Sequence, residues 1–213
     1  MSTPVALEDP TAPVVGRPRR DGGQSEAARR ILAAAGPRFY REGIRAVSAD
    51  AVMADAQVTK ATFYRHFPTK DDLVAAYLAT VAAAERAAVE GWRAALPPQD
   101  VLTAYGDHLA AQTCGEGFRG CPFLNAVAEY PDPEHPVRRV ADDHRAWLRT
   151  TAGELLRAMD VPRPDEVAVQ LVMLRDGAMV AGPAVGPDVV ARTLHDAGRT
   201  LVEHARAGRT GRA

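Results

Sequence analysis

Lysine is almost missing from this chain of 213 residues. There are two, Lys60 and Lys70, ten positions apart, and every other formally cationic side chain is arginine. Cysteine is equally scarce: Cys114 and Cys121 are the only two, which excludes a disulfide-stapled scaffold and points to a reducing cytoplasm. No apolar run approaches the ~18 residues that a membrane span requires. The opening MSTPVALEDPTAPVVGRPRRDGG lacks a charged start followed by a long apolar stretch, so it does not read as a secretory signal. Its Pro, Gly and Thr content predicts a disordered arm over residues 1–23. Alternation of apolar and polar residues over a strand length is missing too, and so are GxSxG, HExxH and phosphate-loop patterns. His108, His135 and His144 have no partner at the tight spacing of metal ligands. No metal, cofactor or catalytic site is expected.

What is there is a helical pattern. Hydrophobic residues make up 46% and charged residues 25% of the chain, as in ordinary soluble domains, and the length suits one large or two small domains. Ala, Leu, Arg and Glu dominate, which favours helix throughout. The spacing of Ile31, Leu32, Ala35, Phe39 and Tyr40 predicts a first helix from about Gln24 to Arg41, stopped by Gly43. Ser48 is placed to cap a short helix ending near Ala56, and Thr59 to cap another ending near Phe67, before Pro68. Thr69, with Asp71 and Asp72 behind it, opens a long helix to about Leu96. Further helices are expected over about Gln99–Thr113, Cys121–Glu129, Pro133–Met159, Pro164–Gly182 and Pro187–Ala207. For the one starting at Pro133, Asp132 is the expected cap.

Charge is divided unevenly along the chain. Residues 17–70 hold eleven basic and five acidic side chains, a net of +6, while the remainder holds fifteen basic and twenty-two acidic, a net of −7. A basic end beside an acidic body suggests a polyanion partner for that end alone. The stretch VTKATFYRHFPTKDDL, residues 58–73, explains how. On a helical wheel Phe63 and Phe67 fall one turn apart and define a buried face. Lys60, Ala61, Thr62, Tyr64 and Arg65 then point outward, with His66 flanking on the Thr62 side. The free helix N-terminus at Thr59 suits phosphate, Ala61 keeps the surface low, and the polar side chains supply donors for phosphates and base edges. Two short capped helices joined by the turn Ala56-Gln57-Val58 form a helix-turn-helix, preceded by a basic arm at Arg17, Arg19 and Arg20 that would track DNA.

Residues 24–73 resemble the DNA-binding domain of TetR-type transcriptional regulators. The likeness is carried by Ile31-Leu32-Ala33-Ala34, Phe39, Gly43, Val58-Thr59-Lys60, Thr62-Phe63-Tyr64 and Phe67-Pro68-Thr69-Lys70 followed by Leu73. Gln57 departs from the pattern, standing where the family commonly has glycine, and would need a positive φ. The resemblance implies an all-α homodimer with a helix-turn-helix domain over residues 24–70. Residues 71–213 would form a helical effector-binding and dimerisation domain, paired through its last two helices. It places Lys60, Thr62, Tyr64 and His66 on the recognition helix, makes Lys70 the phosphate-binding lysine, and starts the backbone-crossing helix at Ser48. The partners expected are a palindromic double-stranded DNA operator, a small-molecule effector and a second copy of the chain, with no membrane involved. The function expected is that of a repressor released by the effector.

For the effector pocket, Phe118, Phe123, Asn125, His144, Trp147 and Met173 are the candidate wall residues. Some of them, with Tyr130, belong to or lie near RGCPFLNAVAEYPDPEHPVRR, residues 119–139, which resembles a segment of some TetR-type regulators. Apolar residues wrap around more than one face of the penultimate helix, from Val167 to Val180, so it is either the central core helix or one covered by a second subunit. Two alternatives stay open from the residues: a regulator switched by oxidation of Cys114 and Cys121, and a helical small-molecule-binding protein or enzyme. Strict disulfide geometry and the habit of cytosolic cysteines to sit buried as small hydrophobes weigh against the first. The basic helix-turn-helix, useless to catalysis, weighs against the second.

Overall fold

The computed structural model describes residues 25–113, 115 and 117–210, apart from the side chains of residues 208–210. The expected arm over residues 1–23, with Arg17, Arg19 and Arg20, lies outside the described residues, as does Cys114. Among the described residues there are nine α-helices and no strand. They are α1 (Glu26–Glu42), α2 (Ala49–Ala56), α3 (Lys60–His66), α4 (Lys70–Ala95), α5 (Pro98–Thr113), α6 (Pro122–Glu129), α7 (Pro136–Ala158), α8 (Pro164–Val185) and α9 (Pro187–Thr210). The all-α architecture is the expected one. No helix among the described residues is long and apolar enough to cross a membrane.

Each early boundary has a local cause. In α1, Ala28, Ile31, Ala35 and Phe39 are buried at three- and four-residue steps, and Gly43 ends the helix with φ 95°. The Ser48 hydroxyl accepts the N–H of Ala51 at 3.1 Å and so caps α2. Thr69 and Asp72 form a reciprocal capping box at the start of α4, each side chain serving the other's backbone N–H.

Three boundaries differ from expectation by three residues, the end of α9 at Thr210 among them. Helix α7 begins at Pro136, three residues late, because Asp132 Oδ1 accepts the N–H of Glu134 at 2.9 Å and closes a turn of its own. His135 then provides the cap, its Nδ1 accepting the N–H of Val137 at 3.3 Å. Helix α8 does not stop at Gly182 but runs through Pro183 to Val185. A Cβ added at Gly182 would stand 2.6 Å from Thr113 Cγ2, so α5 presses directly on this turn and holds it helical. The Met179 carbonyl, which Pro183 cannot serve, faces Gly120, where a Cβ would stand 3.2 Å from it.

Helix α1 packs on α2, α3 and α4, and the rest of the chain is built from α7 on α8, α8 on α9, α4 on α7 and α5 on α9. One apolar core runs without interruption from Ile31, Val52, Phe63 and Phe67 through Leu73 and Leu78 of α4 to Phe123, Ala141 and Met179. A second, smaller core around Leu156, Val161, Val167 and Val202 closes the far end. Outside both lie Val169, Met173 and Val180 of α8, with Val185 at its end, all exposed; Met173 is 68% and Val180 74% exposed.

Candidate nucleic-acid interface

The turn between α2 and α3 is made by Gln57, which takes the left-handed conformation (φ 51°, ψ 48°) that the sequence demanded of it. Its N–H donates to the Ala54 carbonyl at 3.2 Å, and that of Val58 to the Met53 carbonyl at 3.1 Å. Thr59 then caps α3: its Oγ1 accepts the N–H of Thr62 at 3.2 Å, and its hydroxyl lies 3.0 Å from Thr62 Oγ1. Phe63 and Phe67 are fully buried, with ring centroids 6.3 Å apart, and fix the helix against α1 and α2.

Thr59, Lys60, Ala61, Tyr64 and Arg65 are consequently exposed, with Thr62 half-buried beside them. The Tyr64 ring meets the Phe63 ring edge-on at 5.2 Å, so it is presented in a fixed direction. No acidic residue lies in α3. Ser48 is exposed at the start of α2.

Two expected contacts are placed differently. His66 is 8% exposed and turns inward, its Nε2 lying 3.3 Å from Ser25 Oγ at the start of α1. Three residues beyond Phe63 and next to Phe67, it falls on the rim of the buried face rather than the outer one. Lys70 is half-buried, and its Nζ donates to the Arg45 carbonyl at 3.3 Å. Burial pushes its ammonium below the ordinary lysine value.

The sequence reading missed a brace between this unit and the body. The Glu129 carboxylate, at the end of α6, accepts the backbone N–H groups of Ile44 at 2.9 Å and Arg45 at 2.7 Å. Beside it the Tyr130 hydroxyl donates to Asp71 Oδ1 at 2.9 Å, and the Arg45 guanidinium lies 5.5 Å above the Tyr130 ring. Burial, then the hydrogen bond to Asp71, pushes the Tyr130 phenol well above its ordinary value, which keeps it a donor. On the other side of α1, the Tyr40 hydroxyl donates to the Gly120 carbonyl at 2.9 Å and accepts the N–H of Arg119 at 3.0 Å.

In the body, a cavity of about 580 Å³ opens between α4, α5, α7, α8 and α9. Its walls are mostly hydrocarbon, from residues such as Val89, Leu109, Leu148, Leu155 and Val172. Of the six residues expected to line a pocket, Trp147 alone lines this one. Phe123 is buried and stacks on His144 with centroids 3.8 Å apart, so both belong to the packing beside it. Phe118 packs partly buried on the main core. Asn125 Nδ2 donates to the Arg119 carbonyl at 2.9 Å and borders a separate hollow of about 290 Å³. Met173 faces outward on α8.

A charged cluster borders the large cavity through Tyr105 and Arg175, the two of its members that line it. The Tyr105 hydroxyl donates to Glu85 Oε1 at 2.6 Å, and Arg175 Nε donates to the Tyr105 oxygen at 3.3 Å. Arg175 Nη1 donates to Asp176 Oδ1 at 3.2 Å, and Arg145 Nη2 to Asp176 Oδ2 at 2.6 Å. His144 Nε2 lies 3.2 Å from Glu85 Oε2. Burial pushes the Glu85 carboxyl up, but His144, Arg175 and Tyr105 together outweigh it and hold the group below its ordinary value. Cys121 is buried beside Arg175; its expected partner Cys114 is outside the described residues.

Residues 27–77 match the family model described as bacterial regulatory proteins, tetR family. A crystal structure of a TetR-family transcriptional regulator from Streptomyces coelicolor is 43% identical, covers 85% of this chain and 97% of its own, and superposes with a TM-score of 0.79. A structure from Streptomyces avermitilis is 27% identical over 85% of this chain and 99% of its own, with a TM-score of 0.74. The HTH-type transcriptional regulator YjdC of Escherichia coli is 30% identical over 97 residues, 43% of this chain. The chain spans about half the length (51%) of the curated relatives it matches.

Proposed function

Because this chain belongs to the TetR family of transcriptional regulators, we propose that it acts as a homodimeric repressor. In this reading it grips a palindromic operator through α3 and leaves it when a small molecule enters the large cavity. The observation that carries the reading is the outer face of α3. Lys60, Ala61, Tyr64 and Arg65 stand exposed on a helix that Phe63 and Phe67 hold rigidly from behind. Such a helix enters a major groove with its donors already oriented. The second copy docks on the exposed apolar face of α8, where Val169, Met173 and Val180 lack cover within one chain. Two copies then present their α3 helices about 34 Å apart or somewhat more, one turn of DNA.

Release requires an effector that binds one arrangement of the body better than another. A 100-fold loss of operator affinity corresponds to a coupling of about 2.7 kcal/mol. The route runs from the cavity through Glu85 of α4 to His144, to Phe123 of α6, and along α6 to Glu129, which holds the Ile44–Arg45 backbone.

Selection of bound sequences from a random DNA pool, at moderate salt with reductant, tests the reading. An enriched palindrome supports it and supplies the probe for effector release. A folded protein that enriches nothing counts against DNA recognition.

A further inference from the structure

We propose that the cavity takes an uncharged, largely apolar molecule carrying one neutral hydrogen-bond donor, such as a hydroxyl, which meets the Tyr105 oxygen beside Arg175. The inference rests on the reading of this cavity as the effector site and assigns its ligand class.

The charged side chain that lines the cavity at Tyr105, Arg175, is already matched. Arg175, 5% exposed, is engaged by Tyr105, Asp176 and Glu85, and Arg145 by Asp176. A ligand carboxylate reaching Tyr105 would find Arg175 already committed and would stand against Glu85; the unpartnered Nη1 of Arg145 belongs to a side chain that does not line the cavity. A ligand ammonium would have to draw Glu85 from Tyr105, His144 and Arg175. Either ion would be stripped of water without a partner, the situation that excludes charges from interiors. At the exposed rim Arg199 is paired with Asp196 and Arg206 donates to the Met159 carbonyl, beside the carboxylate of Glu203.

Tyr105 has one acceptor position to spare. Its single hydrogen goes to Glu85, and its oxygen accepts one long hydrogen bond from Arg175. The oxygen therefore suits a donor, and an acceptor-only group would find nothing there. Beyond it the wall is Leu109, Leu148, Leu155 and Val172, with the Trp147 ring on one side, a surface for hydrocarbon.

A matched series tests this. At pH 7, 1-octanol, octanoate, octylammonium and heptyl methyl ether, an isomer of the alcohol without its donor, displace N-phenyl-1-naphthylamine from the full-length protein, followed by the dye's fluorescence. The expected result is that octanol binds at least ~10-fold tighter than either ion, because the ions remain uncompensated, and about 3–10-fold tighter than the ether, the range of one neutral hydrogen bond. Tyr105→Phe should remove the preference for alcohol over ether while the ether still binds. The ether also reports whether the variant cavity is intact. Filling the cavity by Ala152→Phe should reduce binding of all four.

Octanoate or octylammonium binding as tightly as octanol overturns the neutral class. Equal affinity for alcohol and ether overturns the Tyr105 contact, and no binding of any of the four overturns the inference as a whole. Whether ligands release the operator is measured separately by DNA retention, so the repressor reading can fail while the ligand class stands, or stand while it fails.

Discussion

The Glu129 carboxylate reaches back 84 residues to accept the backbone N–H of Arg45 at 2.7 Å, and with its other oxygen the N–H of Ile44 at 2.9 Å. A charged acceptor on two backbone donors is a strong arrangement, and it lies where α6 touches the loop that leads into α2. Glu129→Ala leaves both donors without their acceptor. The expected loss is about 1–3 kcal/mol of stability, measured by urea denaturation, with effector release of the operator weakened. Glu129→Gln, which retains an acceptor oxygen, should lose less. Equal stability of wild type and Glu129→Ala would remove the brace from the account.

Tyr64 is 40% exposed and contributes only a ring edge to Phe63. Tyr64→Ala should therefore weaken binding to the selected operator by about 1–3 kcal/mol with little change in thermal midpoint. Operator affinity equal to wild type, in a gel-shift titration, would exclude Tyr64 from the interface.

Lys70 donates to the Arg45 carbonyl and still sits at the edge of the basic unit. Lys70→Ala should weaken operator and random DNA alike and reduce the slope of log K against log salt by about 0.9, the value of one phosphate contact. A slope unchanged from wild type would leave Lys70 with the tether to Arg45 alone.

Gly182 admits α5 so closely that a methyl group there would overlap Thr113. Gly182→Ala should destabilise the protein by about 1–3 kcal/mol, and Thr113→Ser combined with it should recover part of the loss by removing Cγ2. Full stability of Gly182→Ala in thermal denaturation would mean that α5 and α8 can separate without penalty.

The Glu85 carboxyl is held below its ordinary value in the folded state. Its contribution to stability is thus complete above the unfolded carboxylate value of about 4.3 and is lost as pH falls through the lower folded one. Between pH 5 and 3 wild type should lose more stability than Glu85→Gln, which has no proton to take up. Parallel pH profiles in urea titrations would show that the pairing with His144 and Arg175 does not stabilise the charged form.

The sequence declared the recognition unit because its determinants are local. Caps at Ser48, Thr59 and Thr69, the stop at Gly43 and the left-handed Gln57 are decided by a few adjacent residues. His66 was misjudged because a helical wheel gives an angle and not what stands beside it; here Ser25, just before α1, covers that angle. The cavity was illegible for a different reason. Leu109, Leu148, Leu155 and Val172 carry the same apolar spacing whether they fill a core or face a void, and aromatic residues drew attention to packing instead. One signal was present: Arg175 ends the run Val172-Met173-Leu174, and a buried cation there needs partners beyond the adjacent Asp176. Those partners, Glu85 and Tyr105, are 90 and 70 positions away, beyond the reach of any local pattern.

Helix α4 is a single rod of 26 residues, about 39 Å long at 1.5 Å per residue. Glu85 lies near its middle, in the charged cluster, and Lys70 begins it, roughly 22 Å away along the axis. A tilt of about 5° pivoting at Glu85 would swing the Lys70 end by ~2 Å. Pivot and rod are the same unbroken helix, so no hinge dissipates the motion. In the proposed symmetric pair of chains the displacement would occur twice and in opposite senses, so the gap between the two α3 helices would change by about 4 Å.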